Sequence, residues 1–373
     1  MTDRHLIDIL RLINTGGIGP VTFYEYLKKF SNCEELLSYL VGKKDVPSIA
    51  WAEDEIDKAE KIGAKILTFD NVQYPEALKQ LNDAPPILYI KGHAELLKHP
   101  ISVAVVGARN ASIAGRKIAS KIAYDLTNQD VLVISGMARG IDAAAHKGAL
   151  YAQNQSGPTV AVLGTGIGEI YPRENEVLYH NIEQQGLLIS EFALETKAQV
   201  SNFPRRNRII SALSQGTLIV EAGLNSGSLI TARLALEQGK EIFAVPGSPL
   251  DSRSVGPNSL IKDGAVLTES ADDIIKELQL TQGKKIKNLE FNLLALDKVK
   301  NNVNISADKK VTNVNISPEP KNLLDFIDYT GVDIDELLTI SGLSQADFFT
   351  QLLELEMSGK IERQVGNKVT KIK

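Results

Sequence analysis

One cysteine, Cys33, in 373 residues excludes an internal disulfide and any multi-cysteine metal site. A lone thiol suits a reducing compartment, so a cytoplasmic protein is expected. Three common signatures of catalysis are missing. There is no H-E-x-x-H zinc helix, no G-x-x-x-x-G-K-[ST] phosphate loop and no G-x-S-x-G nucleophile elbow. No apolar run approaches the roughly 18 residues of a membrane helix, so no membrane span is expected. The opening Met1-Thr2-Asp3-Arg4-His5 is charged, and no signal peptide is expected from it. Positive charge is not in excess either: 41 Lys and Arg stand against 46 Asp and Glu, a net charge of -5. A polyanionic partner would have to be met by local patches rather than by the field of the whole protein.

What the chain does have is two kinds of periodicity. Residues 1–65 read as a small helical unit. Leu6, Ile9, Leu10 and Ile13 recur at helical spacing, and Gly16-Gly17-Ile18-Gly19-Pro20 then turns the chain into a second helix carrying Phe23, Tyr26 and Leu27. This is the pattern of a helix-hairpin-helix or SAM-like domain, whose turn amides can meet a phosphate. A plain helix connection accounts for it as well. Over residues 66–282, short apolar runs alternate with amphipathic helices. The runs are Val103–Val106, Val131–Ile134, Val160–Leu163, Leu187–Ile189, Leu218–Val220, Ile242–Val245 and Ala265–Leu267. Nearly continuous Val, Ile, Leu and Ala predict strands buried on both faces. The fold class is therefore α/β, a doubly wound, mostly parallel sheet. Residues 283–318 hold seven lysines against three acids and repeat Asn-Val-Asn-Ile-Ser, which reads as a linker. Residues 319–373 read as three helices and a hairpin turning at Gly366-Asn367, a winged-helix-like domain. Its third helix carries Asp347, Glu354 and Glu356 without a lysine or arginine, which suits protein contact or packing better than reading DNA.

The chemistry sits in the loops that follow the strands, because ligands of open parallel sheets gather at the carboxyl ends. Gly107-Ala108-Arg109 precedes a helix beginning near Gly115, whose free amides make an anion site. Gly136-Met137-Ala138-Arg139-Gly140 leads to Asp142 and His146. Four residues apart on one helix, these two invite a catalytic reading, but no nucleophile is placed beside them. Asp142 as a helix cap and His146 as a structural tie is the competing account. Gly164-Thr165-Gly166-Ile167-Gly168 fails as a dinucleotide fingerprint because Glu169 stands where the third glycine belongs. Tyr171-Pro172-Arg173 follows it.

Phe203-Pro204-Arg205-Arg206-Asn207-Arg208 is the most distinctive run: three arginines within four residues, beside an aromatic ring. Guanidinium groups in such a setting bind phosphates in two-pronged fashion. Internal ion pairs to Glu191 or Glu221 are the alternative. Ser226-Gly227-Ser228 supplies hydroxyls and amides at another helix start. Together Arg109, Arg139, Arg173, Arg205 and Arg208 predict one electropositive cleft with Phe203 or Tyr171 as a stacking platform, the chemistry of single-stranded nucleic-acid binding. Asn207 is expected to tie loops rather than touch the ligand, and Glu221 to tie loops as well.

These motifs, in order over roughly residues 66–275, resemble the DNA-processing protein A family (DprA/Smf). The resemblance rests on Gly107-Ala108-Arg109, Ser135 to Asp142 with His146, Tyr171-Pro172 with Asn175, Phe203 to Ile210, Glu221-Ala222, Ser226-Gly227-Ser228 and Phe243 to Gly247. It implies a Rossmann-like core that binds single-stranded DNA without strong sequence preference. It also implies strand protection and loading of the recombinase RecA during natural transformation, with no enzyme activity, no cofactor and no metal. A homodimer is implied too, and Asn258 to Leu267 is the candidate edge. Ala108 departs from the family's usual Ser or Thr, removing one hydroxyl. The rival reading is a nucleotide-processing enzyme of the lysine-decarboxylase-like Rossmann group, whose P-G-G-x-G-T loop is missing here.

Overall fold

The computed structural model describes residues 4–152, 159–282, 323–326, 332–341, 343–364 and 368–371. The expected linker 283–318 and the hairpin turn at Gly366-Asn367 lie outside the described residues. The chain divides into two compact units, Met1–Ala295 and Leu296–Lys373.

The first unit begins with four helices, α1 (Arg4–Ile13), α2 (Pro20–Leu27), α3 (Cys33–Leu40) and α4 (Ile49–Lys61). Gly17, at φ 77°, makes the turn between the first two. Pro20 opens α2 without an N–H to donate, and the Ile18 N–H is spent on Thr15 O, so this turn offers fewer amides than its sequence suggests. These helices share a core with the sheet that follows: Ile9, Leu12 and Leu36 belong to the same buried cluster as Tyr89 and Leu188. Glu55 on α4 fastens the join, accepting hydrogen bonds from Tyr89 Oη at 2.8 Å and Leu194 N at 2.7 Å.

A nine-stranded sheet follows. Its strands are β1 (Lys65–Thr68), β2 (Ile87–Gly92), β3 (Ser102–Val106), β4 (Leu132–Ser135), β5 (Thr159–Val162), β6 (Leu187–Ser190), β7 (Gly216–Ile219), β8 (Glu241–Ala244) and β9 (Val266–Leu267). The spatial order is β1-β2-β6-β5-β4-β3-β7-β8-β9. From β6 to β9 every pairing is parallel, while β1 and β2 join antiparallel beside β6. The expected doubly wound, mostly parallel sheet is present.

Helices α5 (Glu76–Lys79), α6 (Ile113–Asn128), α7 (Ile141–Leu150), α8 (Glu176–Gln185), α9 (Asn202–Leu213), α10 (Gly227–Glu237), α11 (Val255–Lys262) and α12 (Ala271–Gln282) complete the unit. Strand alternation explains why both faces are covered. Val103 and Val105 of β3 pack with Ala119 and Ile122 of α6, while Ala104 and Val106 pack with Ile209 and Ile210 of α9. Each fully buried Val or Leu contributes roughly 1.5–3 kcal/mol. The chain runs from β3 to β6 toward one edge, then crosses back to place β7 on the other side of β3. The crevice between the ends of β3 and β7 is therefore a topological switch point, where such sheets hold ligands.

The second unit contains β10 (Val332–Asp333), α13 (Ile334–Ser341), α14 (Gln345–Met357), β11 (Ile361–Gln364) and β12 (Lys368–Lys371), in a three-stranded antiparallel sheet of order β10-β12-β11. Leu337, Phe348, Leu352 and Val369 form its core. Of the first expected helix, the described residues Leu323–Phe326 form a 3-10 turn.

Candidate nucleic-acid interface

Backbone contact between loops builds the mouth of the crevice. Gly140, at φ 75°, lies so close to the Ala108 carbonyl that a Cβ there would collide with it. Ile141 N donates to the same oxygen at 3.2 Å. The loops after β3 and β4 are thus locked together, and Arg109 stands exposed on their rim. Met137 holds φ 59° without being glycine, a strained conformation that costs on the order of 1–3 kcal/mol. Asn175 secures it by donating from Nδ2 to Met137 O at 2.9 Å.

The Arg109 guanidinium lies over the Phe203 ring, 4.8 Å from its centroid, and the Tyr171 ring stands 5.7 Å away on a 41° tilt. Gly164 makes room for this ring, since a Cβ there would sit 2.8 Å from Phe203 Cδ1. Arg109, Phe203 and Tyr171 border a cleft of about 780 Å³. Its far side is the start of α10, with Ser226, Gly227 and Ser228 on the wall and the apolar side chains of Val200, Leu224 and Ile230 at the rim. Ser226 Oγ caps α10, accepting from Ser228 N, and the helix directs its positive dipole end into the cleft. Asn207 ties α9 to this terminus, donating from Nδ2 to Gly227 O at 3.3 Å.

The expected five-arginine cleft does not assemble. Arg109 and Arg139 share a side cavity of about 240 Å³ with Phe203 and Tyr171. Arg139 is already paired with Glu174 at 2.7 Å. Arg173 is exposed and lines neither space. Arg205 faces a different cavity, beside the Gly17–Pro20 turn, and lies over the Phe192 ring. Arg208 is only 6% exposed. Its Nη2 donates to Glu191 Oε2 at 2.6 Å and its Nε meets Asp83 Oδ2 at 2.9 Å. The ion-pair alternative is thus correct for Arg208 with respect to Glu191. Burial raises the Glu191 carboxyl above its usual range, and the nearby Arg208 and Arg205 charges oppose that rise.

Arg206, unassigned from sequence, is buried as well. It donates to the carbonyls of Gly136 and Val162, and any Cβ at Gly136 would strike its guanidinium. Burial lowers its pKa to about 10 even with the Asp142 charge nearby. The spacing carried a signal: Arg205 and Arg208 are three apart on one helical face, while Arg206 points elsewhere.

Glu221, expected to tie loops, meets Ser112 rather than an arginine of the run. It accepts from Ser112 N at 2.9 Å and from the Ser112 hydroxyl, at the N-terminus of α6. The anion site foreseen near Gly115 is therefore filled by the protein's own carboxylate, which presses where a Gly115 side chain would be. Asp142 does not cap α7; Gly140 holds that position. Its carboxylate reaches back to Gly136 N at 3.2 Å and Ala138 N at 3.4 Å. His146 points away from it, with Nδ1 at 2.7 Å from Thr159 Oγ1. Thr159 gives its own proton to Val133 O, so His146 must be the donor. Burial and the Arg206 charge push the imidazole down to about 3, keeping it neutral. No Asp–His catalytic pair forms. Among the described residues, no group of three or more His, Cys, Asp or Glu could hold a metal, and no helix is long and apolar enough to cross a membrane.

Comparison with known proteins supplies independent findings. Residues 65–279 match the family described as DNA recombination-mediator protein A, and residues 308–367 match the DprA winged helix domain. Protein Smf of Escherichia coli K12 is 39% identical over 305 residues, covering 82% of this chain and 76% of that one. DNA processing protein DprA of Bacillus subtilis is 41% identical over 216 residues, covering 58% of this chain and 72% of that one. Among solved structures, DprA from Streptococcus pneumoniae superposes with a TM-score of 0.62 at 33% identity, covering 72% of this chain and 95% of that chain. A Helicobacter pylori DNA processing protein A structure, described for its single-stranded DNA binding mode, gives 0.52 at 30% identity, covering 58% of this chain and 96% of that one.

Proposed function

The chain belongs to the DNA recombination-mediator protein A (DprA/Smf) family, and from that premise we propose that it holds single-stranded DNA, without strong sequence preference, in the cleft at the β3–β7 switch point. The observation that carries this reading is the stack of Arg109 on Phe203 beside Tyr171 at the cleft mouth. A guanidinium held on a ring can meet a phosphate while the ring surface accepts a base, and every base has such a face. The N-terminus of α10, with Ser226, Gly227 and Ser228 on the cleft wall and no acid in its first turn, supports the same reading by turning its positive dipole end to a second phosphate. Of the expected arginines, Arg109 and Arg139 serve the strand. Arg173 and Arg205 lie outside this cleft, and Arg208 acts as a structural tie. The single-stranded DNA bound by the Helicobacter pylori relative is the ligand class these groups suit.

The role is non-catalytic strand holding and protection in the cytoplasm, with hand-over to RecA during transformation or another recombination task. Buried Asp142 and His146, facing different partners, give an enzyme reading little to work with. A homodimer through the β9 edge completes the proposal. Leu267 is exposed there, whereas Asn258 is bound inward to Gly247 by its amide.

Anisotropy titrations of single- and double-stranded oligonucleotides across a range of salt test the central claim. Preference for the single strand, with affinity falling as salt rises, is the expected result; equal binding of both forms would sink it. Release of free base from nucleoside monophosphates would favour the enzyme rival. RecA filament growth on a strand coated with single-strand binding protein, with and without this protein, tests the hand-over. Sedimentation of Leu267→Asp tests the dimer edge.

A further inference from the structure

Helices α6 and α7 pack side by side, touching where Gly148 lies against the Ser120 carbonyl with no room for a Cβ. Along their shared surface runs a groove of about 730 Å³. Its floor is small, with Ala143, Ala144 and Gly148. Its sides carry Arg116, Lys117, Lys121 and Lys147, all exposed. Positions 113, 117, 120, 121 and 124 share one face of α6 by helical spacing, so the cations stand in a row rather than scattered. Large apolar and aromatic groups stay in solvent beside them: Tyr151 is 79% exposed and Ile113 68%. Tyr124 lines the same groove. The one acid in the lining is Glu174, and Arg139 already neutralises it. Asp125, the partner of Lys121, is not part of the lining.

The groove is continuous with the cavity at the cleft mouth, because Arg139 borders both. We propose that the α6–α7 groove is a second track for single-stranded DNA, along which a strand leaving the Arg109–Phe203 mouth passes over Arg139, setting its phosphates on Lys117, Lys121 and Lys147 and a base against Tyr151. This rests on the cleft reading above and extends it. The track from Ile113 to Tyr124 is about 16 Å long at the helical rise of 1.5 Å per residue, enough for a few nucleotides beyond those in the cleft. The occupant is a nucleic-acid strand because lysines on both helices stand beside two tyrosine rings, and the groove begins where the cleft-mouth cavity ends, at Arg139.

Length dependence separates the two sites. A pentanucleotide is the cleft-length probe, and a 20-mer is long enough to reach the groove as well. In the triple variant Lys117→Gln, Lys121→Gln, Lys147→Gln the pentamer should bind as before, while the 20-mer binds at least tenfold more weakly. Its salt dependence should be shallower by about 2 in logarithmic slope, since each phosphate contact on a single strand contributes about 0.7. Removing three distant cations, Lys28→Gln, Lys29→Gln and Lys43→Gln, should leave the 20-mer unaffected. A 20-mer carrying 5-iodouracil should photocrosslink to Tyr151, and an iodinated pentamer should not. Unchanged affinity and slope for the 20-mer in the groove variant would overturn the track, as would equal weakening of both lengths. Failure of the cleft reading shows separately, as a pentamer that binds Arg109→Ala as well as it binds the unmodified protein.

Discussion

Arg208 donates to Glu191 across 2.6 Å, at the end of the sheet and out of reach of solvent. An arginine that looked like a ligand-binding group is half of a buried ion pair, with Asp83 as a further partner. Arg208→Ala should therefore destabilise the fold by about 3–5 kcal/mol, because Glu191 is left buried with only Arg205 nearby, at 3.6 Å. Denaturant unfolding measures this. Glu191→Gln in the same chain should recover part of the loss, and the DNA affinity of the molecules that remain folded should hold.

Arg109 should behave in the opposite way. It is exposed and rests on Phe203, so Arg109→Ala should leave the unfolding midpoint almost unchanged. Single-strand affinity should fall for every sequence tested, with the salt slope shallower by about 0.7. Phe203→Ala should cost about 1–3 kcal/mol of binding by removing a stacking face, while preserving the salt slope. Titrations of both variants with homopolymeric and mixed oligonucleotides would show whether the losses separate in this way.

The difference between these arginines marks the limit of sequence reading. Strands were legible because burial on both faces writes itself as unbroken Val, Ile and Leu. The predicted run Val103–Val106 became Ser102–Val106, and Ile242–Val245 became Glu241–Ala244. Convergence of the glycine loops followed from the rule for parallel sheets. Whether an arginine turns in or out depends on acids remote in the chain. Asp83 lies in the stretch before β2 and Glu191 just after β6; Glu191 is one of two partners the sequence offers, and nothing local to the run announces Asp83. The same holds for Glu221, whose partner Ser112 is 109 residues away. Asp142 and His146 share a helix but not a task, since loop amides draw one and Thr159 the other.

Gly140→Ala tests the lock between the loops after β3 and β4. The left-handed backbone and the crowded Ala108 carbonyl both resist a Cβ. A loss of about 1–3 kcal/mol is expected. Because the displaced backbone carries Arg109, strand affinity should fall in proportion. Calorimetry and anisotropy on one preparation would reveal it; a variant as stable as the parent would contradict the lock.

His146 gives the fold an acid sensitivity with a definite sign. In the unfolded chain its pKa is near 6.5; in the fold, burial holds it at about 3. Above pH 6.5 the imidazole is neutral in both states and costs nothing. As pH falls from 6.5 toward 3, the unfolded chain takes up a proton that the fold refuses. Stability should drop by up to about 1.4 kcal/mol per pH unit from this group alone. The measurement is the difference in unfolding free energy between the parent and His146→Asn at several pH values. That difference should narrow as the solution is acidified from pH 6.5 to 5.

Glu221 makes the starts of two helices unlike. The start of α6 is quenched by a carboxylate built into the protein, while the start of α10 carries only its Ser226 hydroxyl cap and no acid in its first turn. Of the two, α10 borders the cleft, so a strand there would find its backbone welcomed on that bank. Its bases would then face Phe203 and Tyr171. A negative residue, by closing the berth at α6, would leave α10 as the mooring.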